Sequence, residues 1–392
     1  MSRRAVFAIA AAGFAAFVGL YATQPLLPLF EAVFGLSKAQ AGLTVSASTL
    51  AVAAMAPVVG AWADRVARKR AIVAGGCLLC VCVLACAGAS GYRALLLWRF
   101  LQGLAVPVMY VPALAYVSEE AGEAGVGRAM ASYVTGNVLG GFTGRTVSGL
   151  VAEAFDWRAS FVALAALTLA ATAVTWQLLP ESRRFAPQRR TTSWRGLRGA
   201  FTRQLAVTLL IGFNVLFVQV AAFSYIVFHL SAPPFSLGTG VLSGIFVTYL
   251  AGAGVTPIAG PFIDRLGSRR VLMRALGGGM VGALVTLAPS VPAIVLGLAI
   301  CASCTFICQS ASTAYLRVAA APEVRALASG LYVTAYYTGG SVGGVVPGFL
   351  WSAARWPGCV ALMLSVQAMT LLLAHRFWRG PASLLHQRGI GG

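Results

Sequence analysis

Apolar runs of about twenty residues alternate with short polar joints, most of them carrying arginine, along the whole chain. A membrane-crossing helix needs ~20 mostly apolar residues. The pattern therefore predicts helices over 5–30, 40–62, 71–90, 93–117, 128–152 and 158–180. After a polar stretch it predicts six more, over 204–230, 238–261, 270–290, 292–317, 325–352 and 356–378. The expected fold is an all-α membrane protein of twelve transmembrane helices in two six-helix bundles. The first run is longer than the ~7–15-residue apolar core of a secretory signal, so it reads as an uncleaved helix.

Composition removes the soluble alternatives. The 392 residues are 59% hydrophobic and 10% charged, against about 25% charged in a soluble domain. That is too little charge to cover a wetted surface. A net charge of +19 could suggest nucleic acid, but the basic residues sit in the joints, where they set membrane topology. With a cytoplasmic N-terminus, 23 of the 29 Lys and Arg fall on the cytoplasmic side and four (Lys38, Arg93, Arg158, Arg355) on the other. Adding or losing one helix would scramble that bias. Both termini are therefore expected in the cytoplasm of a bacterial inner membrane. The remaining two, Arg99 and Arg145, lie inside helices. Residues 181–203 hold seven arginines and one acid, Glu181. This basic linker, lying on an anionic lipid leaflet, divides a bundle at 1–180 from a second bundle and short tail at 204–392.

The eight cysteines lie in apolar runs and read as small packing residues. Cys77-x2-Cys80 has no polar neighbour to make a metal or redox pair, and His229, His375 and His386 show no ligand spacing. No metal, cofactor or nucleic-acid partner is expected. An intramembrane enzyme would need an embedded nucleophile, acid pair or metal site. A receptor would append a soluble module, which 181–203 cannot hold.

The two halves repeat. Pro57-x2-Gly60-x3-Asp64-Arg65 recurs 200 residues later as Pro257-x2-Gly260-x3-Asp264-Arg265. Gly140, Gly144, Gly149 and Trp157 recur 199 residues later as Gly339, Gly343, Gly348 and Trp356. Parallel six-helix repeats are an architecture of secondary transporters.

On these residues the chain resembles the major facilitator superfamily over essentially its whole length. Gly60-x3-Asp64-Arg65-x2-Arg68 and its second copy, Gly260-x3-Asp264-Arg265-x-Gly267-x-Arg269, match a family motif joining helices 2 and 3 and helices 8 and 9. The first copy has Ala67 where the pattern has glycine. The resemblance implies a cytoplasmic gate, with Asp64 facing a neighbouring helix N-terminus when that side is closed. Arg99-x2-Gln102-Gly103 on helix 4 matches a pattern that the family associates with proton coupling. The helix 5 pattern of drug/proton antiporters is matched in spacing at Gly140, Gly144 and Gly149, but Arg145 stands in place of its proline. Glycines at this spacing offer a flat face for close, sliding contact. Tyr21-x2-Gln24-Pro25-x2-Pro28 on helix 1 resembles the acriflavine-sensitivity and arabinose-efflux-like branch. What the resemblance implies is a monomeric secondary transporter for a small organic solute, working by alternating access and exporting it against protons. Uptake or exchange of a small anionic or neutral metabolite is the alternative.

Polar and aromatic residues at helical spacing nominate the wall of the solute pathway: Phe14, Phe17, Tyr21, Gln24, Arg99, Gln102, Tyr110, Asn137, Arg145, Asn214, Tyr225, Gln309, Tyr336 and Tyr337. An unpaired polar group in hydrocarbon costs several kcal/mol, so these groups need partners or a solute. All ten acids stand at helix ends or in joints. With two embedded arginines at similar depth and no embedded acid, the expectation is that both act on one cavity whose solute is not a lipophilic cation.

Overall fold

The computed structural model describes residues 1–63, 66–121, 125–182, 201–321 and 324–378, and every regular element among them is helical. Helices α1 (Arg3–Val18) and α2 (Leu27–Phe34) make the first crossing, joined by a loose turn and a 3-10 turn at Gln24–Leu26. Single helices make the next five: α3 (Lys38–Ala63), α4 (Arg68–Ala87), α5 (Tyr92–Glu120), α6 (Val126–Ala154) and α7 (Trp157–Leu178). The second half begins with α8 (Arg203–Ser231). The eighth crossing is α9 (Thr239–Gly244), a 3-10 turn at Ile245–Val247 and α10 (Thr248–Leu266). It is followed by α11 (Ser268–Val285), α12 (Val291–Ala319) and α13 (Arg325–Phe377). The last carries two crossings, separated by non-helical backbone at Ala354 and Arg355. The linker lies mostly outside the described residues.

Among the described residues, eight helical stretches are long and apolar enough to cross a membrane unaided. The other crossings fall short of this for identifiable reasons. Prolines 25 and 28 divide the first. Glycine, serine and threonine dilute α6, and Arg269, Arg270 and Arg274 crowd the start of α11. The two crossings of α13 merge into one stretch.

The sequence repeat is a structural one. Helix α5 runs from 92 to 120 and α12 from 291 to 319, an offset of 199 at both ends. Helix α1 packs on α6 as α8 packs on α13, and α3 and α4 pack on α5 as α10 and α11 pack on α12. Glycines make the tightest of these contacts. A Cβ at Gly136, Gly140 or Gly144 would strike the carbonyl oxygen of Ala10, Phe14 or Val18 on α1. At Gly339 and Gly343 it would strike those of Phe213 and Phe217 on α8. The expected sliding face is thus a fixed backbone contact inside each half. Only the last glycine of each series meets the other half, Gly149 at Ser243 and Gly348 at Ala39.

The halves differ at their first crossings. Pro25 has no amide hydrogen, so the first crossing breaks before it. Tyr225 stands at the corresponding place in α8, which runs unbroken. In lipid the freed carbonyls of that break must find donors within the protein. Arg99 supplies them, donating from Nη1 to Gly19 O at 2.7 Å and from Nη2 to Leu20 O at 2.5 Å. Ser148 Oγ donates to Ala22 O at 2.6 Å. The counterpart of Arg99 on α12 is Leu298, fully buried. An arginine therefore stands only opposite the broken helix.

Candidate solute pathway

A cavity of about 1510 Å³ lies between the halves and opens at the face bearing the arginine-rich joints and the chain ends. We call this the basic face and its opposite the far face. Tyr110 and Leu114 line one wall, and Thr256, Ser310, Tyr332 and Val333 the other. Asp264, Arg265, Arg269, Arg317 and Arg325 ring the mouth.

The far face is closed by contacts between the halves. On one flank α3 meets the eleventh crossing with almost no side chain between them. Gly42 lies against Gly344 O, Ser46 Oγ donates to Ser341 O at 2.6 Å, and Ser341 Oγ donates back to Ser46 O at 3.1 Å. Tyr225 OH reaches Gly344 O at 2.9 Å, which places it in this seal and off the cavity wall. Beyond it, Lys38 pairs with Glu31 at 2.5 Å and lies over Phe228 and Trp351 of the other half, 5.1 and 5.5 Å from their ring centres.

The other flank is built around Arg145. The repeat puts Gly344 and Arg145 at equivalent positions, so one flank closes backbone to backbone and the other on a long charged side chain. Arg145 is 2% exposed. Its Nε donates to Gln24 Oε1 at 2.7 Å and its Nη1 to Gly141 O at 2.7 Å. Gln24 Nε2 in turn donates to Ser224 Oγ at 3.0 Å, carrying the chain of hydrogen bonds into the second half. The turn that interrupts the eighth crossing presents Phe246 and Tyr249 to the guanidinium, 5.2 and 4.3 Å from its carbon. Tyr21 covers it at 4.8 Å. No acid pairs with Arg145 among the described residues, Glu153 and Asp156 included.

Arg99 does not share this site. It is 0% exposed within the first half, where Nε donates to Thr44 O at 3.0 Å and Nη1 also to Gln102 Oε1 at 2.6 Å. Gln102 is spent on Arg99, and its Nε2 has no partner. The pairing of two arginines on one cavity is therefore corrected: a buried guanidinium takes carbonyls where a broken helix offers them. Arg99 holds the turn that leads to Tyr21 and Gln24.

Other nominated residues divide similarly. Tyr110, Tyr336 and Tyr337 stand between the halves. Asn137, with its amide oriented to satisfy its neighbours, donates to Gly13 O and Tyr133 O at 3.2 Å, inside the first half. Asn214 Nδ2 donates to Thr370 Oγ1 at 2.8 Å beside a separate internal cavity of about 20 Å³ within the second half. Gln309 is half-buried on α12, outside the lining of the large cavity. Of the gate residues, Asp64 and Arg65 lie outside the described residues, and of Gly60 only the helical backbone is described. Arg68 clasps Glu119 with Nη2 at 2.6 Å, a bond within the first half. Gly260, Asp264, Arg265 and Arg269 line the open mouth. Arg269 Nη2 ties α11 to His375 O at 2.6 Å. Gly267 has φ +82°, where side chains are strained, while Ala67 takes φ −54°, so the two copies turn differently. Sequence reasoning missed Ser46, Ser341, Ser224, Phe246 and Tyr249. Their small or aromatic side chains are ordinary in a membrane helix, and only the partner across the interface marks them.

The major facilitator superfamily model matches residues 9–344 and 245–391. The chain is 32% identical over 375 residues to "Uncharacterized MFS-type transporter YybF" of Bacillus subtilis (strain 168), covering 95% of this chain and 93% of that one. It is 30% identical over 379 residues to "Inner membrane transport protein YnfM" of Escherichia coli (strain K12), covering 96% and 91%. Among solved structures, a bacterial homologue of the human lysosomal transporter Spinster, in an inward-facing and occupied conformation, superposes with a TM-score of 0.77 at 17% identity. The match covers 97% of this chain and 100% of that one, and at that identity it speaks to fold alone.

Proposed function

The chain belongs to the major facilitator superfamily, a family of membrane transporters, and we propose that it moves a small organic solute across the bacterial inner membrane by alternating access. The observation that carries this reading is the cavity itself, open at the basic face and sealed at the far face by contacts between the two halves. The excess of arginine at the basic face supports its being cytoplasmic, with both termini there, the basic linker along the inner leaflet, and the state an inward-open monomer. Asp264 and Arg265 stand exposed at the open mouth without an ion pair among the described residues, which suits a cytoplasmic gate that is now open. A solute shifts such an equilibrium only through contacts that differ between the two states.

Export against protons is the direction favoured by the helix 1 and helix 5 resemblances. Uptake or exchange is the second reading, and one observation favours it: the described acids all stand at helix ends, leaving the cavity no embedded carboxylate to carry a proton. The two are separated by labelled solutes, first found by a thermal-shift screen, in energised vesicles. Export predicts accumulation in everted vesicles that collapses with a protonophore. Accumulation only in right-side-out vesicles would replace export with uptake.

A further inference from the structure

Eight of the chain's eleven tyrosines divide by what their hydroxyls meet. Four are bonded: Tyr92 to Gln40 O at 2.7 Å, Tyr116 to Pro180 O at 3.1 Å, Tyr225 to Gly344 O and Tyr332 to Ser312 Oγ at 2.6 Å. Tyr21, Tyr110, Tyr336 and Tyr337 pack their rings into the core but bond their hydroxyls to nothing among the described residues. Yet they belong to one place. Tyr337 and Tyr249 lie in one buried cluster, and Tyr21, Tyr110 and Tyr336 pack against it. Tyr336 and Tyr337 meet edge to face at 5.6 Å. The Tyr133 hydroxyl, whose ring lies 5.9 Å from that of Tyr110, also lacks a partner among the described residues; of the other four, two come from each half.

The charge beside them is also incomplete. Arg145 has rings on its faces and acceptors at Nε and Nη1, but none at Nη2 among the described residues. A buried polar group in a native protein normally has a partner, and one without is waiting for water or ligand. A buried guanidinium without a carboxylate is costly unless an anion joins it. Apolar rings flank the tyrosines: Phe17 lies edge-on to Tyr110 at 6.1 Å and Phe306 to Tyr249 at 6.3 Å. Hydroxyl donors, one free guanidinium edge and aromatic walls describe one ligand chemistry.

We propose that Arg145, with Tyr21, Tyr110, Tyr249, Tyr336 and Tyr337, forms the solute site, and that its solute is an organic anion with a ring-sized apolar body. This rests on the transporter reading and narrows it to a substrate class. The anion takes hydrogen bonds from Nη2 and the tyrosine hydroxyls, and the ring lies among Phe17, Phe306 and the tyrosine faces. A cation of the same shape would meet the same rings but be repelled by Arg145.

Three probes sharing one ring system test this by calorimetry on the purified chain in lipid nanodiscs: 2-naphthoate, 2-naphthamide and 2-naphthylmethylammonium. Wild type should bind the carboxylate about tenfold or more tighter than the amide, with the ammonium weakest. Arg145→Gln should remove that preference while leaving amide affinity within about twofold. The isosteric pair Tyr336→Phe and Tyr337→Phe should weaken carboxylate binding several-fold at an unchanged thermal midpoint, and it decides the matter if Arg145→Gln does not fold. An ammonium or amide that binds as well as the carboxylate overturns the proposal. So does a preference that survives Arg145→Gln, or a carboxylate that fails to bind below the millimolar range. None of these results touches alternating access, which is tested separately by cross-linking the far face.

Discussion

Replacing Arg99 with leucine should destabilise the whole first half and not merely slow transport. The change removes the guanidinium donors from Gly19 O, Leu20 O and Thr44 O in a lipid-embedded core, leaving Gly19 O only a long bond from Ala22 N at 3.5 Å. A hydrogen bond to a charged group contributes roughly 1.5–3 kcal/mol, so losing three, allowing for relaxation, costs about 3–5 kcal/mol. The thermal midpoint in detergent should fall sharply, and Arg99→Lys should recover only part of it, because an ammonium cannot fork across three acceptors. Tyr21 and Gln24, which the broken turn carries, lose their position against Arg145, so solute flux falls with stability. An Arg99→Leu protein that melts like wild type but fails to transport would place Arg99 in the cavity after all.

Gly42→Leu should do the opposite: leave the fold intact and abolish transport. A Cβ at Gly42 would occupy the space of Gly344 O, a contact between halves and not within one. Backbone cannot give way as side chains do, so overpacking of ~1–3 kcal/mol or more falls on the closed far face alone. The population then moves to states open at that face. Flux should drop by about tenfold or more at an unchanged midpoint. A cysteine at Ser224, buried in wild type, should become reachable by a membrane-impermeant maleimide from the far side. Gly144→Leu makes the informative contrast, since Gly144 faces Val18 O inside the first half and its loss should unfold the bundle. Normal flux in Gly42→Leu would mean that this seal is not part of the cycle.

Much of this was legible in the sequence. The break between the eleventh and twelfth crossings falls at Ala354 and Arg355, between the runs that hydropathy separates, and the offset of 199 reappears in helix bounds. What hydropathy could not show is the direction in which a polar side chain turns. Arg99 and Arg145 look alike as embedded arginines, yet one is consumed by carbonyls freed at Pro25 and the other lies between the halves. That difference depends on a partner helix eighty residues away, which local pattern does not encode. The glycine series shows the same limit: spacing tells that a face is flat, not which helix lies on it. Serines 46 and 341 left no trace because a serine in a membrane helix usually bonds its own backbone.

The central claim, that the far face opens and closes by separation of the halves, is tested most directly at Ser46 and Ser341, whose hydroxyls exchange bonds across the closed seal. Cysteines at both positions, in a background lacking the eight native ones, should form a disulfide when membranes are oxidised. The bridged protein should stop transporting and resume on reduction. A cysteine at Ser310, which lines the cavity, should remain open to labelling from the basic face throughout. A bridged protein that transports at the wild-type rate would contradict the account.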